Sequence, residues 1–171
     1  MELSKIKRGE KLGHVQPQPL KGITASVLGE LGGNAEHRSI ALSVALPDSD
    51  PRVRADEQSL KLIVSNLVSN AIKYSPDGAT VEIALQDRPT EVVLQVADQG
   101  IGIPEAEQKQ LFSEFFRASN AKQSRIEGTG LGLAGVKQLV ERFGGDIWFK
   151  SKESEGSTFF AKFPKAAAPP E

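Results

Sequence analysis

Asn66, Asn70 and Lys73 are residue types that can bind a metal ion and a phosphate group. Their spacing of i, i+4 and i+7 places them on one face of a helix, beside an apolar stripe. Asparagine is a poor residue for the middle of a helix, so two of them here suggest a role other than helix formation. An amide oxygen can ligate a hard cation, and a lysine one turn later can meet a phosphate. Taken alone, this helix is explained equally well as a solvated helix edge.

Two glycine-containing motifs can bring the backbone close to a ligand. Residues 98–103 (DQGIGI) follow a predicted strand, so the carboxylate of Asp98 can accept a hydrogen bond from an exocyclic amine, although a simple glycine turn also explains the motif. Residues 128–133 (GTGLGL) open a predicted helix, whose free N–H groups favour an anion. Residues 130–135 match the dinucleotide pattern G-x-G-x-x-G, but no strand precedes them, so we reject a Rossmann site and keep the phosphate cradle.

Between these motifs lie three phenylalanines, Phe112, Phe115 and Phe116, followed by Arg117. We favour a small satellite core that holds this polar segment in place. The alternative is a loop that docks on a neighbour, with Arg117 reaching a phosphate.

Near the C-terminus, Thr158 can bond to a buried partner, although a threonine in a strand needs no functional reason.

Composition excludes several classes of protein. The 171 residues allow one domain with a proper core, and 39% hydrophobic and 25% charged residues are ordinary values. A net charge of −1 gives no electrostatic case for binding nucleic acid or an anionic membrane. Without cysteine there is no disulfide or thiol chemistry, and His14 and His37 lie too far apart in sequence for an obvious metal site. With no long apolar run and no visible signal peptide, we expect a cytoplasmic location.

The elements that must position these residues follow from periodicity and breakers. We expect a linker up to residue 19, a long unstructured lid over residues 99–128 with a short amphipathic piece inside it, and a disordered tail from Ala166. The predicted helices are Leu20–Leu31 (stopped by Gly32 and Gly33), about Ala55 to Tyr74 (with Asp56 as N-cap) and Thr129–Phe143; the predicted strands are Ile40–Leu46, Thr80–Leu85, Glu91–Ala97, Asp146–Lys150 and Ser157–Phe163.

This pattern predicts an α/β (α+β) two-layer sandwich. We expect one mixed, mostly antiparallel sheet of about five strands, covered on one face by about three helices, because the strands pair mainly as hairpins.

The order of the motifs is more specific than any one of them. The chain resembles the catalytic, ATP-binding domain of bacterial sensor histidine kinases, which belong to the Bergerat-fold (GHKL) ATPase superfamily with DNA gyrase, MutL and the heat-shock-ninety chaperones. Residues 66–74 resemble the N box, 98–102 the first glycine box, 112–116 the F box and 128–132 the second glycine box. The resemblance covers residues 16–164.

The resemblance implies ATP and Mg²⁺ as cofactors and a role for each matching residue. Asn70 would ligate Mg²⁺, Lys73 would contact phosphate and Tyr74 would lie against the base or sugar. Asp98 would accept from the adenine amino group, supported through water by Thr158. The implied catalytic residues are Asn66, Asn70 and Lys73, and the implied nucleotide-binding residues are Asn66, Asn70, Lys73, Tyr74, Asp98, Gly100, Gly102, Ile103, Arg117, Gly128, Thr129, Gly130, Leu131, Gly132, Leu133 and Thr158.

Asn66 separates two branches of this superfamily. The ATP-hydrolysing relatives have a water-activating glutamate at this position, and asparagine cannot serve as a general base. The sequence therefore favours transfer of the γ-phosphoryl group to a supplied acceptor over rapid hydrolysis.

The resemblance also implies partners. Residues 1–15 resemble the end of a dimerisation and acceptor hairpin plus a linker, and residues 16–165 the catalytic domain. We expect the acceptor histidine to lie on that hairpin rather than at His14, and the excised domain to be monomeric and unable to phosphorylate itself. The expected partners are this hairpin and a response regulator receiver domain. Two alternatives are a non-catalytic nucleotide-binding or docking domain of a degenerate kinase and a serine-kinase relative; residues 1–9 and the F box favour the histidine branch.

Overall fold

A five-stranded sheet forms the platform of the structure, a computed structural model that describes residues 13–123 and 132–167. The strand order is β2-β4-β5-β7-β6, with β2 and β4 parallel and the other neighbours antiparallel. The predicted mixed, mostly antiparallel sheet is therefore confirmed. In chain order the elements are β1 (Gln16–Pro19), α1 (Leu20–His37), β2 (Ala41–Ala45), β3 (Arg52–Ala55), α2 (Glu57–Tyr74), β4 (Thr80–Asp87), β5 (Glu91–Asp98), a 3-10 helix (Glu105–Gln110), α3 (Ser119–Gln123), α4 (Gly132–Arg142), β6 (Asp146–Lys152) and β7 (Gly156–Pro164).

The core lies between one face of this sheet and the long helices. Alternate residues of β4 and β5 are buried there, with Ile83 opposite Val96 and Leu85 opposite Leu94. The apolar stripe predicted for α2 supplies the facing layer and is confirmed: Leu60, Ile63, Val64, Leu67 and Ala71 are all buried.

The N-cap predicted at Asp56 is confirmed. Its Oδ1 accepts from the backbone N–H of Ser59 at 2.8 Å, and its Oδ2 accepts from the Ser59 hydroxyl at 2.6 Å. Helix α2 therefore starts from a fixed point, and the apolar stripe that follows sets its rotation against the sheet.

Helix α1 is longer than predicted. It continues through Gly32 and Gly33 to His37, although each glycine costs about 1 kcal/mol relative to alanine in a helix. Beyond the glycines, Ala35 is buried in the core, and its carbonyl accepts from the N–H of Ile40 at 2.8 Å. Tertiary packing of the last turn therefore outweighs the local preference to stop.

The segment predicted as a linker contains a strand. β1 pairs antiparallel with β3, with Gln16 opposite Ala55 and Pro19 opposite Arg52. The N–H of Ala166 donates to the carbonyl of Arg52 at 2.8 Å, so the predicted disorder is wrong for Ala166; residues 168–171 lie outside the described residues. These strands were missed because they are short, contain proline or arginine, and have partners far away in sequence.

The lid segment (residues 99–128) is more ordered than predicted as far as the structure describes it, up to residue 123. It contains the 3-10 helix and α3, and a small cluster of Ile103, Leu111 and Ala118 anchors it against β6 and β7. Phe112 packs edge-on against Phe149 at 5.7 Å, and Phe116 joins the small cluster. The satellite-core interpretation therefore holds for Phe116; Phe112 packs against the main core instead, and Phe115 is 66% exposed.

None of the helices in the described residues is long and apolar enough to cross a membrane.

Candidate functional site

A cavity of about 400 Å³ lies between α2, the lid segment and the adjoining ends of β5 and β7. The structure brings most of the predicted site residues to this one cavity, although they come from distant parts of the chain. Of the predicted residues, its lining contains Asn66, Asn70, Lys73, Tyr74, Asp98, Gly102, Ile103, Arg117, Gly132 and Leu133. The predicted residues Gly128, Thr129, Gly130 and Leu131 lie outside the described residues.

Helix α2 forms one wall. The Nδ2 of Asn66 donates to the carbonyl of Leu62 at 2.8 Å, so the helix backbone itself orients this amide. The Oδ1 of Asn66 lies 3.0 Å from the position that a Cβ on Gly132 would occupy. The start of α4 is therefore packed directly against the Asn66 amide, and a side chain at position 132 would displace one of the two.

Asp98 lies at the end of β5 and is part of the cavity lining. Its Oδ1 accepts from the backbone N–H of Gly100 at 2.9 Å and from that of Ser157 at 3.2 Å. Burial raises the pKa of Asp98, and the hydrogen bonds from these two N–H groups lower it by a smaller amount, so the pKa remains raised. The result is a partly buried carboxyl group that is held in one orientation and offers its other oxygen as an acceptor.

The two glycines of the 98–103 motif are required by the protein's own backbone. A Cβ on Gly100 would collide with the carbonyl oxygen of Tyr74, and one on Gly102, where φ is +65°, would collide with that of Lys152. The motif was interpreted as giving a ligand access to the backbone. In the structure it packs the lid segment against α2 and the β6–β7 turn, and Gly100 is not in the cavity lining.

Tyr74 and Arg117 both line the cavity and contact each other. Burial raises the pKa of the Tyr74 hydroxyl, while the charge of Arg117 and its hydrogen bond to that hydroxyl lower it. The Nζ of Lys73 lies 5.1 Å from the centre of the Tyr74 ring. Two cationic side chains, Lys73 and Arg117, therefore lie beside one aromatic side chain in the cavity lining.

Thr158, predicted to support Asp98 through water, does not line the cavity, and it is the neighbouring Ser157 whose N–H donates to Asp98. Ser157 and Phe159 line the cavity and Thr158 does not, because side chains alternate along β7. The signal was present in the sequence: Ser157, Phe159, Ala161 and Phe163 have the period of a buried face, and the structure buries Ala161 and Phe163 fully.

Three other residues were not predicted. Arg38 holds the end of α2, Ser151 contacts the lid segment and Ser157, and Asn120 holds the carbonyl groups of Ile101 and Gly102. No local pattern marks them, because each acts on a partner between 18 and 48 residues away.

The architecture around the cavity is a five-stranded sheet with helices on one face, and the cavity lies between the asparagine-bearing helix α2 and the lid segment. Residues 55–167 match the family model of histidine kinase-, DNA gyrase B- and HSP90-like ATPases, and the chain belongs to this family. It is an ATP-binding domain of the sensor histidine kinase type.

Individual relatives agree with this assignment. The chain is 38% identical over 168 residues to the circadian input-output histidine kinase CikA of Synechococcus elongatus, which covers 96% of this chain and 22% of that protein. The structure of the present chain matches the catalytic domain of the histidine kinase ThkA with a TM-score of 0.78 and 28% identity, and the match covers 90% of this chain and 99% of that domain. The structure of ThkA in complex with the response regulator TrrA also matches, with a TM-score of 0.77 and 25% identity, and this match covers 96% of the present chain and 46% of the ThkA chain. The chain spans between 20% and 41% of the length of the first curated relatives.

Proposed function

We propose that this domain binds Mg²⁺·ATP in the cavity and donates the γ-phosphoryl group to a histidine on a helical hairpin, as one step of two-component signalling. The observation that carries the proposal is the lining of one cavity by both Asp98 and the pair Asn70 and Lys73. The part of the lining around Asp98, which we call the base end, suits an amine-bearing base, and the part around Asn70 and Lys73, the phosphate end, suits a metal ion and phosphates.

The base end is built around Asp98. Its carboxyl group is fixed by two backbone N–H groups, so it is preorganised to accept from an exocyclic amine. Ile103 and Leu133 add apolar surface to the lining, and Tyr74 adds an aromatic face. Such a site penalises a ligand without the amine, because the buried acceptor then stays unpaired.

The phosphate end fits a magnesium ion held mostly by its nucleotide. Within residues 13–123 and 132–167, no group of three or more histidine or acidic side chains is placed to hold a metal. Mg²⁺ usually takes one or two protein oxygens together with phosphates and water, so the single amide oxygen of Asn70 is an adequate ligand. When bound, the ion would neutralise phosphate charge; Lys73 would add a second positive charge, and Gly128–Leu133 would surround the phosphates.

Transfer is favoured over hydrolysis by the residues that line the cavity. Asn66 has no titratable group, and its Nδ2 is held by the Leu62 carbonyl. His14 and His37 are exposed and do not line the cavity. The acceptor is therefore assigned to a separate hairpin, and a response regulator receiver domain is the proposed next partner, as in the complex of ThkA with TrrA.

The test combines calorimetry with a transfer assay. Wild-type protein should bind ATP more tightly with Mg²⁺ than without, and Asn70→Ala should remove most of that difference. Lys61→Ala is the matched control, since it lies on the same helix but pairs with Glu57 at the surface. With γ-labelled ATP, wild type should place acid-labile phosphate on an added histidine-bearing hairpin, and Asn70→Ala should not.

Two results would contradict the proposal. Equal ATP affinity with and without Mg²⁺ in wild type would remove the metal assignment. Acid-labile phosphate on His14 or His37 of the chain alone would remove the assignment of the acceptor to a separate hairpin.

A further inference from the structure

Ser151, near the end of β6, joins three parts of the structure through one hydroxyl group. Its Oγ accepts from the backbone N–H of Ile103 in the lid segment at 2.9 Å. It also lies 3.1 Å from the carbonyl oxygen of Gly156 and 2.7 Å from the Oγ of Ser157. Ser157 in turn lines the cavity, and its N–H donates to Asp98. Ser151 itself does not line the cavity.

Counting hydrogens fixes the direction of these bonds. A serine hydroxyl has one hydrogen and two lone pairs. The N–H of Ile103 uses one lone pair of Ser151, and the Gly156 carbonyl can only accept, so it takes the hydrogen of Ser151. The contact with Ser157 is then a hydrogen bond only if Ser157 donates to the remaining lone pair. All three contacts are satisfied together in this arrangement alone.

The same arrangement determines what Ser157 offers to a ligand. Its hydrogen is committed to Ser151, so only its lone pairs remain for the cavity. Asp98 beside it is also an acceptor, since its Oδ1 already receives two N–H groups. This end of the cavity therefore presents two acceptors, which suit an amino group and oppose a carbonyl oxygen.

We propose that Ser151 is a positioning residue that keeps Ser157 an acceptor and thereby makes the Asp98 end of the cavity discriminate against bases with a carbonyl in place of the exocyclic amine. The inference rests on the proposed function, because it concerns selection at the proposed base end. Without the Ser151 hydroxyl, Ser157 is free to rotate and donate to a carbonyl oxygen, and selection against such a base weakens.

The experiment compares ATP with inosine triphosphate, whose base has a carbonyl at the amino position. Calorimetric titration of each variant of the whole chain with both nucleotides gives one ratio, the Kd for inosine triphosphate divided by the Kd for ATP. We expect this ratio to be well above one in wild type, which prefers ATP. Ser151→Ala should lower it about tenfold, which corresponds to roughly one hydrogen bond. The ratio is measured within each folded variant, so a general loss of stability does not change it.

Two control variants separate hydroxyl orientation from loosening of the lid segment. Gln108→Ala is the first: the Nε2 of Gln108 donates to the carbonyls of Ile103 at 3.1 Å and Ser151 at 3.0 Å, so its loss frees the same segment and leaves the serine pair intact. It should keep the wild-type ratio. Ser151→Thr restores a hydroxyl and should also keep it.

The outcomes distinguish the two proposals. An unchanged ratio in Ser151→Ala, with ATP still preferred by wild type, overturns the role of Ser151 and leaves the proposed function standing. An equal fall in Gln108→Ala also overturns it, because the effect then comes from the lid segment. Failure of wild type to bind either nucleotide overturns the proposed function, and this inference with it.

Discussion

The Nη1 of Arg38 donates to the carbonyl oxygen of Ile72 at 2.7 Å, and this bond ties the end of α1 to the last turn of α2. The same guanidinium reaches the carbonyls of Lys73 at 3.2 Å and Ser75 at 2.7 Å, and it pairs with Asp77. Carbonyl groups at a helix end lack partners within the helix, and a cation there also complements the helix dipole. Arg38 therefore fixes the turn from which Lys73 and Tyr74 enter the cavity.

Replacing Arg38 with alanine should lower both stability and nucleotide affinity. We expect a loss of about 2 kcal/mol in the free energy of unfolding, since partly buried carbonyls lose a charged donor. Arg38→Lys should recover only part of it, because an ammonium cannot span the same carbonyls as a planar fork. Urea unfolding and ATP titration measure the two effects. Arg88→Ala, which breaks an exposed pair with Glu91, is the control and should cost less than about 1 kcal/mol.

The raised pKa of Asp98 predicts a stability that falls as pH rises. The folded state holds this proton more tightly than the unfolded chain does, so stability falls as pH rises from the unfolded pKa through the folded pKa of Asp98, and the whole cost is present above the folded pKa. Asp98→Asn should therefore melt at a higher temperature than wild type at pH 7, with the gain shrinking in acid, while ATP affinity falls about tenfold or more.

Asp87 supplies a control of opposite sign. Hydrogen bonds from Lys165 and then Ser49 lower the pKa of Asp87, so its contribution is present at neutral pH and is lost as pH falls. Asp87→Asn should melt below wild type at pH 7 and converge with it in acid. Parallel behaviour of the two variants across the pH series would refute the assignment for Asp98.

Gly102 and Gly29 should respond in opposite ways to substitution by alanine. A Cβ at Gly102 meets the Lys152 carbonyl, and φ there is +65°, so Gly102→Ala should cost about 2 kcal/mol or more. Gly29 is exposed in α1 with nothing within 4 Å of a new Cβ, so Gly29→Ala should stabilise by about 0.5–1 kcal/mol. Denaturant midpoints measure both. If Gly102→Ala leaves the denaturant midpoint unchanged, the backbone of the lid segment can shift away from the β6–β7 turn at little cost in stability.

Asn120 should control how firmly the lid segment is held. Its Nδ2 donates to the carbonyls of Gly102 at 2.9 Å and Ile101 at 3.3 Å. Hydrogen exchange at residues 119–123 should slow when a Mg²⁺·ATP analogue binds, and it should be faster in Asn120→Ala than in wild type without nucleotide. Lys122→Ala, exposed on the same helix, should match wild type. If the exchange rate at residues 119–123 is the same with and without the nucleotide analogue, this segment does not act as a lid.

Local pattern was enough to predict much of this fold and part of the site. The 3.6-residue period of α2 places Leu60 and Leu67 in the core and Asn66 and Asn70 toward the cavity. The two-residue period of β4 and β5 predicts their hairpin and the buried face of the sheet. In each case the information lies within a single element, because which side a residue faces is set by the backbone repeat.

The tertiary structure alone decided the rest. Arg38 meets Ile72 across 34 residues, and Ser151 meets Ile103 across 48, so no window of sequence contains both partners. Tertiary packing also outweighed the local tendency of glycine to end a helix, because α1 continues through Gly32 and thereby buries Ala35. The sequence by itself determined which residue types face a common site, since that follows from periodicity. The fold determined which groups orient them, since a hydrogen bond forms only where two chain segments are brought within about 3 Å of each other.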